Sequence, residues 1–148
     1  MHQKILLAVD NSEPAERAGK YAISSAGLDE ADIIVLNVID TYYLNSLPQS
    51  DLREKLDKNF RDEGKEAVEN YEKRIADEKC AGNCKNIKLI TIIGEGKPED
   101  VILKIADKEN VDQIIMGKSS KEKIERFFVG STTERVVRGA KIPVTVVP

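Results

Sequence analysis

The sequence is poor in metal-binding and redox chemistry: its 148 residues include two cysteines and one histidine, His2. A structural zinc takes four Cys or His ligands, so the composition argues against one. The cysteines stand in the run Cys80-Ala81-Gly82-Asn83-Cys84. They read as two thiols in an exposed loop. The sharper alternatives are a local disulfide across the Gly-Asn turn, rare in the cytosol outside hyperthermophiles, or half of a metal site. An excess of positive charge is missing too. With a formal net charge of -3, the chain lacks the basic bias of a general nucleic-acid binder. No apolar run approaches the ~20 residues of a membrane span. Met1-His2-Gln3-Lys4 leads straight into a strand-like run, without the apolar core and cleavage site of a signal peptide. A cytoplasmic protein with no membrane or nucleic-acid partner is therefore expected. Internal repeats, low-complexity tracts and interdomain linkers are absent as well, and residues 1–148 read as one domain.

What is present is a globular composition, 41% apolar and 33% charged, in which two kinds of segment alternate. Short β-rich runs lie at 5–9, 33–38, 87–93, 113–116 and 142–147. Most are nearly unbroken in their apolar character, as expected of parallel strands covered on both faces. In the last, Pro143 falls near the start, which suits an edge strand or a strand beginning. Between them lie helical patterns. Ala15, Ala18, Ala22 and Ile23 follow Asp10-Asn11-Ser12, whose short polar side chains suit an N-cap. A long charged helix over 51–79 carries the stripe Leu52, Leu56, Phe60, Ala67, Tyr71 and Ile75. Pro98 opens a third helix with Val101, Ile102, Ile105 and Ala106. Ser131-Thr132-Thr133-Glu134 has the form of a capping box and opens a fourth, ending at Gly139. Residues 41–50 are the most loop-like and are placed to cover a site or a partner surface. The order βαβαβαβαβ predicts an α/β fold: a five-stranded open parallel sheet, doubly wound with helices on both faces.

In such a sheet ligands bind beyond the carboxyl ends of the strands. These ends are Asp10-Asn11-Ser12, Val38-Ile39-Asp40, Gly94 to Pro98 and Met116-Gly117-Lys118-Ser119-Ser120. In the fourth, a glycine after a strand lets backbone amides approach an anion, and Lys118, Ser119, Ser120 and Lys121 add donors and charge. Gly130-Ser131-Thr132 stands at a helix start, where free N–H groups and the helix dipole favour phosphate. Together these features suit a polyphosphate. Each also has a plainer use: Gly117 as the strand-to-loop turn, Ser131 as a cap, the lysines as solvated charges, Asp10 as a turn residue. The pattern is neither a Walker A loop nor a GxGxxG turn.

Several stretches carry a resemblance that runs nearly end to end. They are Ile5-Leu6-Leu7-Ala8-Val9-Asp10-Asn11-Ser12, Leu36 to Asp40, Gly94 to Gly117, and above all Val129-Gly130-Ser131-Thr132-Thr133-Glu134-Arg135-Val136-Val137 through Val147. On these the chain resembles the universal stress protein family, which implies a Rossmann-like, adenine nucleotide alpha hydrolase-like fold. ATP-binding members carry G-x2-G-x9-G followed by Ser or Thr. Gly117, Gly130 and Ser131 match, and Ser120 replaces the middle glycine. The resemblance implies ATP or ADP as ligand, with Mg2+ or Mn2+ bridging the phosphates and no protein metal ligands. It implies that Ala8, Val9 and Asp10 line the nucleoside pocket and that the Val38 backbone meets the adenine edge. Met116, Gly117, Ser119, Ser120 and Lys121 would follow ribose and phosphates, and Gly130, Ser131 and Thr132 would hold the phosphate tail. It also implies a homodimer formed through the terminal strand, Ile142 to Val147. A nucleotide-binding stress-response regulator is the expected function, with no catalytic residues assigned; a nucleotide-free scaffold and a slow ATPase are the alternatives.

Overall fold

The computed structural model describes residues 3–10, 12–80, 82, 86–118 and 130–148, apart from the side chains of Leu28, Asp29 and Cys80. Strands and helices alternate as β1 (Lys4–Ala8), α1 (Glu13–Asp29), β2 (Asp32–Asp40), α2 (Thr41–Asn45), α3 (Ser50–Cys80), β3 (Leu89–Gly96), α4 (Pro98–Lys108), β4 (Gln113–Gly117), α5 (Ser131–Gly139) and β5 (Val144–Val147). The strands make one five-stranded sheet in the order β3-β2-β1-β4-β5, with every pairing parallel. The expected Rossmann-like α/β sheet is therefore the observed one. Among the described residues no helix is long and apolar enough to cross a membrane. The reading of Cys80 and Cys84 falls outside the described side chains.

The apolar runs read as they do because the central strands are buried on both faces. Ile5, Leu7, Ile33, Val35 and Ile115 point to one side and pack with Ala18, Ala22 and Ala26 of α1 and with Ala67, Tyr71 and Ile75 of α3. The alternate residues Leu6, Ile34, Leu36, Ile114 and Met116 meet Ile102 and Ala106 of α4 and Val136 of α5. Two helical layers thus cover opposite faces, and each fully buried aliphatic side chain contributes about 1.5–3 kcal/mol. The alanines four residues apart on α1 let that helix lie close to the sheet.

Three expectations are corrected by the structure. Residues 41–50 are not all loop, because Thr41–Asn45 form a short helix whose N-cap, Asp40, accepts a hydrogen bond from the Tyr43 amide through Oδ1 at 2.9 Å. The capping-box frame is displaced by one residue: Gly130 is the N-cap of α5, and no side chain caps it. Ser131 is therefore the first helical residue, and Glu134 forms an ion pair with Arg138 at 2.7 Å instead. Finally, the long helix buries its stripe only in its C-terminal half, where Ala67, Tyr71 and Ile75 are inside while Leu52 is 41% exposed. Its 31 residues make a rod of about 46 Å, far longer than the strands it covers. The N-terminal half instead meets α2, where Tyr43 and Phe60 stack with ring centroids 6.4 Å apart. β5 is an edge strand, and Pro143 precedes it directly.

Candidate functional site

The chain winds outward from β1 in both directions, so the strand order reverses between β1 and β4. Beyond the carboxyl ends of these strands, where open α/β sheets bind ligands, lies a cavity of about 640 Å3. Ala8, Val9 and Asp10 line it from the end of β1, and Val38 from β2. Met116 and Gly117 line it from β4, and Gly130, Ser131 and Thr132 from the start of α5. Positions singled out in the sequence are thus gathered around one space. Ser119, Ser120 and Lys121 lie outside the described residues.

Register explains how Val38 comes to face this space. β1 pairs with β2 as far as Ala8 opposite Leu36, and the Val9 amide then donates to the Leu36 carbonyl at 2.9 Å. β2 continues to Asp40. In a parallel ladder the N–H and C=O of one residue point to the same neighbour, and alternate residues repeat that direction. The Val38 backbone groups therefore point the way those of Leu36 do, past the end of β1. Asp10 serves the turn as well as the cavity wall, since its Oδ1 accepts from the Ser12 amide at 2.9 Å.

The helix starts around the cavity differ in charge. Ser12 caps α1 by accepting from the Ala15 amide at 3.2 Å, and Glu13 and Glu16 fill that first turn. Glu99 and Asp100 stand in the first turn of α4. These carboxylates already complement the positive ends of their helices. α5, like α4, has no side-chain cap; its first residues are the uncharged Ser131 and Thr132, with Glu134 the acidic residue of its first turn. It is also pinned to β4: the Gly130 amide donates to the Lys118 carbonyl at 2.9 Å, and Thr133 Oγ1 donates to the Gly117 carbonyl at 2.9 Å. An amide- and hydroxyl-rich end thus faces apolar walls from Val9, Val38, Ile102 and Met116.

Residues absent from the sequence-based set also line the cavity, among them Ser12, Asn37, Asp40, Phe60, Gly64 and Thr133. Asn37 carries a readable signal, a polar side chain inside the apolar run of β2. Its Nδ2 donates to the Val9 carbonyl at 2.9 Å. Phe60 carries none, because its position depends on how far α3 extends past the sheet. A smaller cavity of about 370 Å3 shares Asp10 and Ser12 and runs between α1 and α3 beside Tyr71 and Arg74. Burial pushes the Tyr71 phenol above its ordinary pKa, while the Arg74 guanidinium, 5.4 Å from the ring centroid, draws it down.

The arrangement suits a ligand with a flat apolar body and an anionic end. Among the described residues lining the larger cavity there is no histidine, cysteine or lysine. No group of three or more His, Cys, Asp or Glu is placed to hold a metal ion among the described residues.

Comparison with known proteins shows the family and the fold. The family model described as universal stress protein family matches residues 1–148. Universal stress protein MJ0531 of Methanocaldococcus jannaschii is 32% identical over 147 residues, covering 99% of this chain and 82% of that protein. The solved structure of MJ0577 from the same organism is 35% identical with a TM-score of 0.79, covering 99% of this chain and 96% of that one. At 22% identity and a TM-score of 0.66, the fold is shared with a universal stress protein from Archaeoglobus fulgidus in complex with dAMP, covering 100% of this chain and 98% of that one. This chain belongs to the universal stress protein family.

Proposed function

We propose that the chain binds an adenine nucleotide, ATP or ADP, in the switch-point cavity and works as a nucleotide-dependent regulatory module in the stress response. The observation that carries this reading is the pairing of two ends in one cavity. At one end the Val38 backbone runs past the last residue of β1; at the other, α5 begins without a side-chain cap at Gly130-Ser131-Thr132. An adenine edge takes one donor and one acceptor, which a strand residue with both groups facing one way provides. Ala8, Val9, Met116 and Phe60 supply apolar contact to the nucleoside, and Asp10 supplies an acceptor for the ribose hydroxyls.

The phosphates lie against the α5 N-terminus, where the helix dipole and the Ser131 and Thr132 hydroxyls act together. Gly117 lets the chain pass closely, and we assign Ser119, Ser120 and Lys121, which lie outside the described residues, to the same phosphates. In this reading the Ser120 hydroxyl donates to phosphate where family members that bind ATP carry glycine. Mg2+ or Mn2+ fits as an ion held by phosphate oxygens and offsets charge on the tail. The dAMP complex of a protein with this fold supports the choice of an adenine nucleotide. Hydrolysis needs a positioned water and stabilisation of the transferred charge, and no described side chain is assigned to that work. We read the module as one that binds nucleotide in a cytoplasmic setting, with slow hydrolysis as the second reading.

Two copies pair through β5, whose Val144–Val147 form one edge of the sheet. An unprotected apolar edge is a template for another strand, and a twofold axis makes the contact self-complementary. The binding claim is tested by calorimetric titration of Mg-ATP into the protein and into Ser131→Asp, which places a carboxylate at the phosphate end. Saturable one-to-one binding that the variant loses at least tenfold supports the reading. Equal binding by both proteins would place the phosphates elsewhere.

A further inference from the structure

Three polar or charged side chains are buried among the described residues: Asn37, Glu99 and Thr133. Glu99 has an ion-pair partner in Arg135. The other two have a common feature that lies at the switch point. Asn37 Nδ2 donates to the carbonyl of Val9, the residue just after β1, at 2.9 Å. Thr133 Oγ1 donates to the carbonyl of Gly117, the last residue of β4, at 2.9 Å. β1 and β4 are the adjacent strands between which the cavity opens. Asn37 reaches its target from the α3 side, where Gly64 leaves room for it: a Cβ there would meet Asn37 Oδ1. Thr133 comes from α5, in the opposite helical layer. Each strand-end carbonyl is thus held by a buried donor, one from each layer.

From this geometry we infer that Asn37 and Thr133 are positioning residues for the ligand site, a paired clamp that fixes the two strand ends before ligand arrives. A trans peptide carries its C=O and N–H on opposite sides. Holding the Val9 carbonyl toward Asn37 therefore turns the following amide, that of Asp10, the other way. Holding the Gly117 carbonyl fixes the base from which the chain leaves toward residue 119. The Thr133 bond also ties the first turn of α5 to β4, which sets the distance between the phosphate end and the nucleoside end. Asn37 explains the glycine in mid-helix at Gly64, a position where alanine would otherwise be favoured. Preorganisation of this kind raises affinity by reducing what must be ordered on binding.

The inference rests on the nucleotide reading for its affinity arm, and a second measurement separates the two. Thr133→Val keeps the shape and removes the hydroxyl, whereas Thr133→Ser keeps the hydroxyl; Asn37→Leu removes the other donor. Mg-ATP affinity is measured by calorimetry, urea unfolding checks that each variant is folded, and amide hydrogen exchange is followed without nucleotide. The clamp predicts about tenfold weaker binding for Thr133→Val, recovery in Thr133→Ser, and faster exchange confined to 9–12 and 117–118. Folded Thr133→Val and Asn37→Leu proteins with unchanged affinity would overturn it. If the parent protein fails to bind Mg-ATP, the nucleotide reading fails, and exchange alone decides: local acceleration restored by serine supports the clamp, and unchanged exchange overturns it.

Discussion

Gly117 ends β4 directly against the first turn of α1, where a Cβ on it would lie 2.7 Å from the Pro14 carbonyl carbon and 2.9 Å from the Ala15 nitrogen. Both neighbours are backbone, so neither can swing aside as a side chain tip would. The glycine that the sequence offers as a ligand-approach residue is thus already required by the meeting of strand and helix at the floor of the cavity. Gly117→Ala should cost about 1–3 kcal/mol by overpacking, read as a lower urea midpoint. It should also weaken nucleotide binding, because β4 and α1 both border the site. Full stability in this variant would show that the two elements separate more easily than their packing implies.

Tyr71 gives the fold an alkaline limit. Its ring is 6% exposed, and its hydroxyl donates to the Ala15 carbonyl at 3.1 Å. Burial is the main cause of its raised pKa; Arg74 lowers it, and Glu16 and Asp10 raise it further. A raised pKa means that the folded protein holds the phenolic proton more tightly than the unfolded chain does. This contribution is complete below the unfolded value of about 10 and is lost as pH rises through the higher folded value. Tyr71→Phe should be less stable by about 1 kcal/mol at pH 7 for want of the hydrogen bond, yet fall less steeply above about pH 10. Parallel stability curves for the two proteins across that range would contradict the assignment.

Glu99 is 5% exposed and carries the buried charge of the α4 start. Arg135 Nη1 of α5 lies 3.0 Å from its Oε1, and Lys97 Nζ lies 3.6 Å away. Removing one partner of a buried pair is usually costly, but the Arg135 side chain is 57% exposed and Lys97 remains. Arg135→Met is therefore expected to cost about 1 kcal/mol, with a smaller loss at high salt, measured by urea unfolding at two ionic strengths. A neutral substitution would mean that Lys97 compensates alone.

The proposed dimer depends on β5. Val144 and Val146 on that edge strand, each replaced by lysine, should give a folded monomer in light scattering, with circular dichroism reporting the fold. A folded double variant that still scatters as a dimer would move the interface away from this strand.

The fold was legible in the sequence because burial on both faces writes itself as unbroken apolar runs, as in Ile33 to Val38, while the helices keep their own spacing. Boundaries were less so. Whether Gly130 or Ser131 caps α5 turns on one residue of backbone geometry, and the capping-box pattern fits either frame. The loop-like look of 41–50 hid a helical turn because its cap, Asp40, also ends β2. At the site, residues at strand ends could be found by position along the chain. Asn37 shows in the sequence as a polar break in the β2 run, though its reach to the Val9 carbonyl is a tertiary fact, and Phe60 and Gly64 enter only because α3 passes over the cavity.

The most direct test of the central claim is the small-molecule content of the gently purified protein, released by denaturation and identified by chromatography and mass. The account predicts ATP or ADP approaching one per chain, or restored to that level by added Mg-ATP. A protein that emerges empty and takes up no Mg-ATP would contradict it and leave a nucleotide-free interaction module in its place.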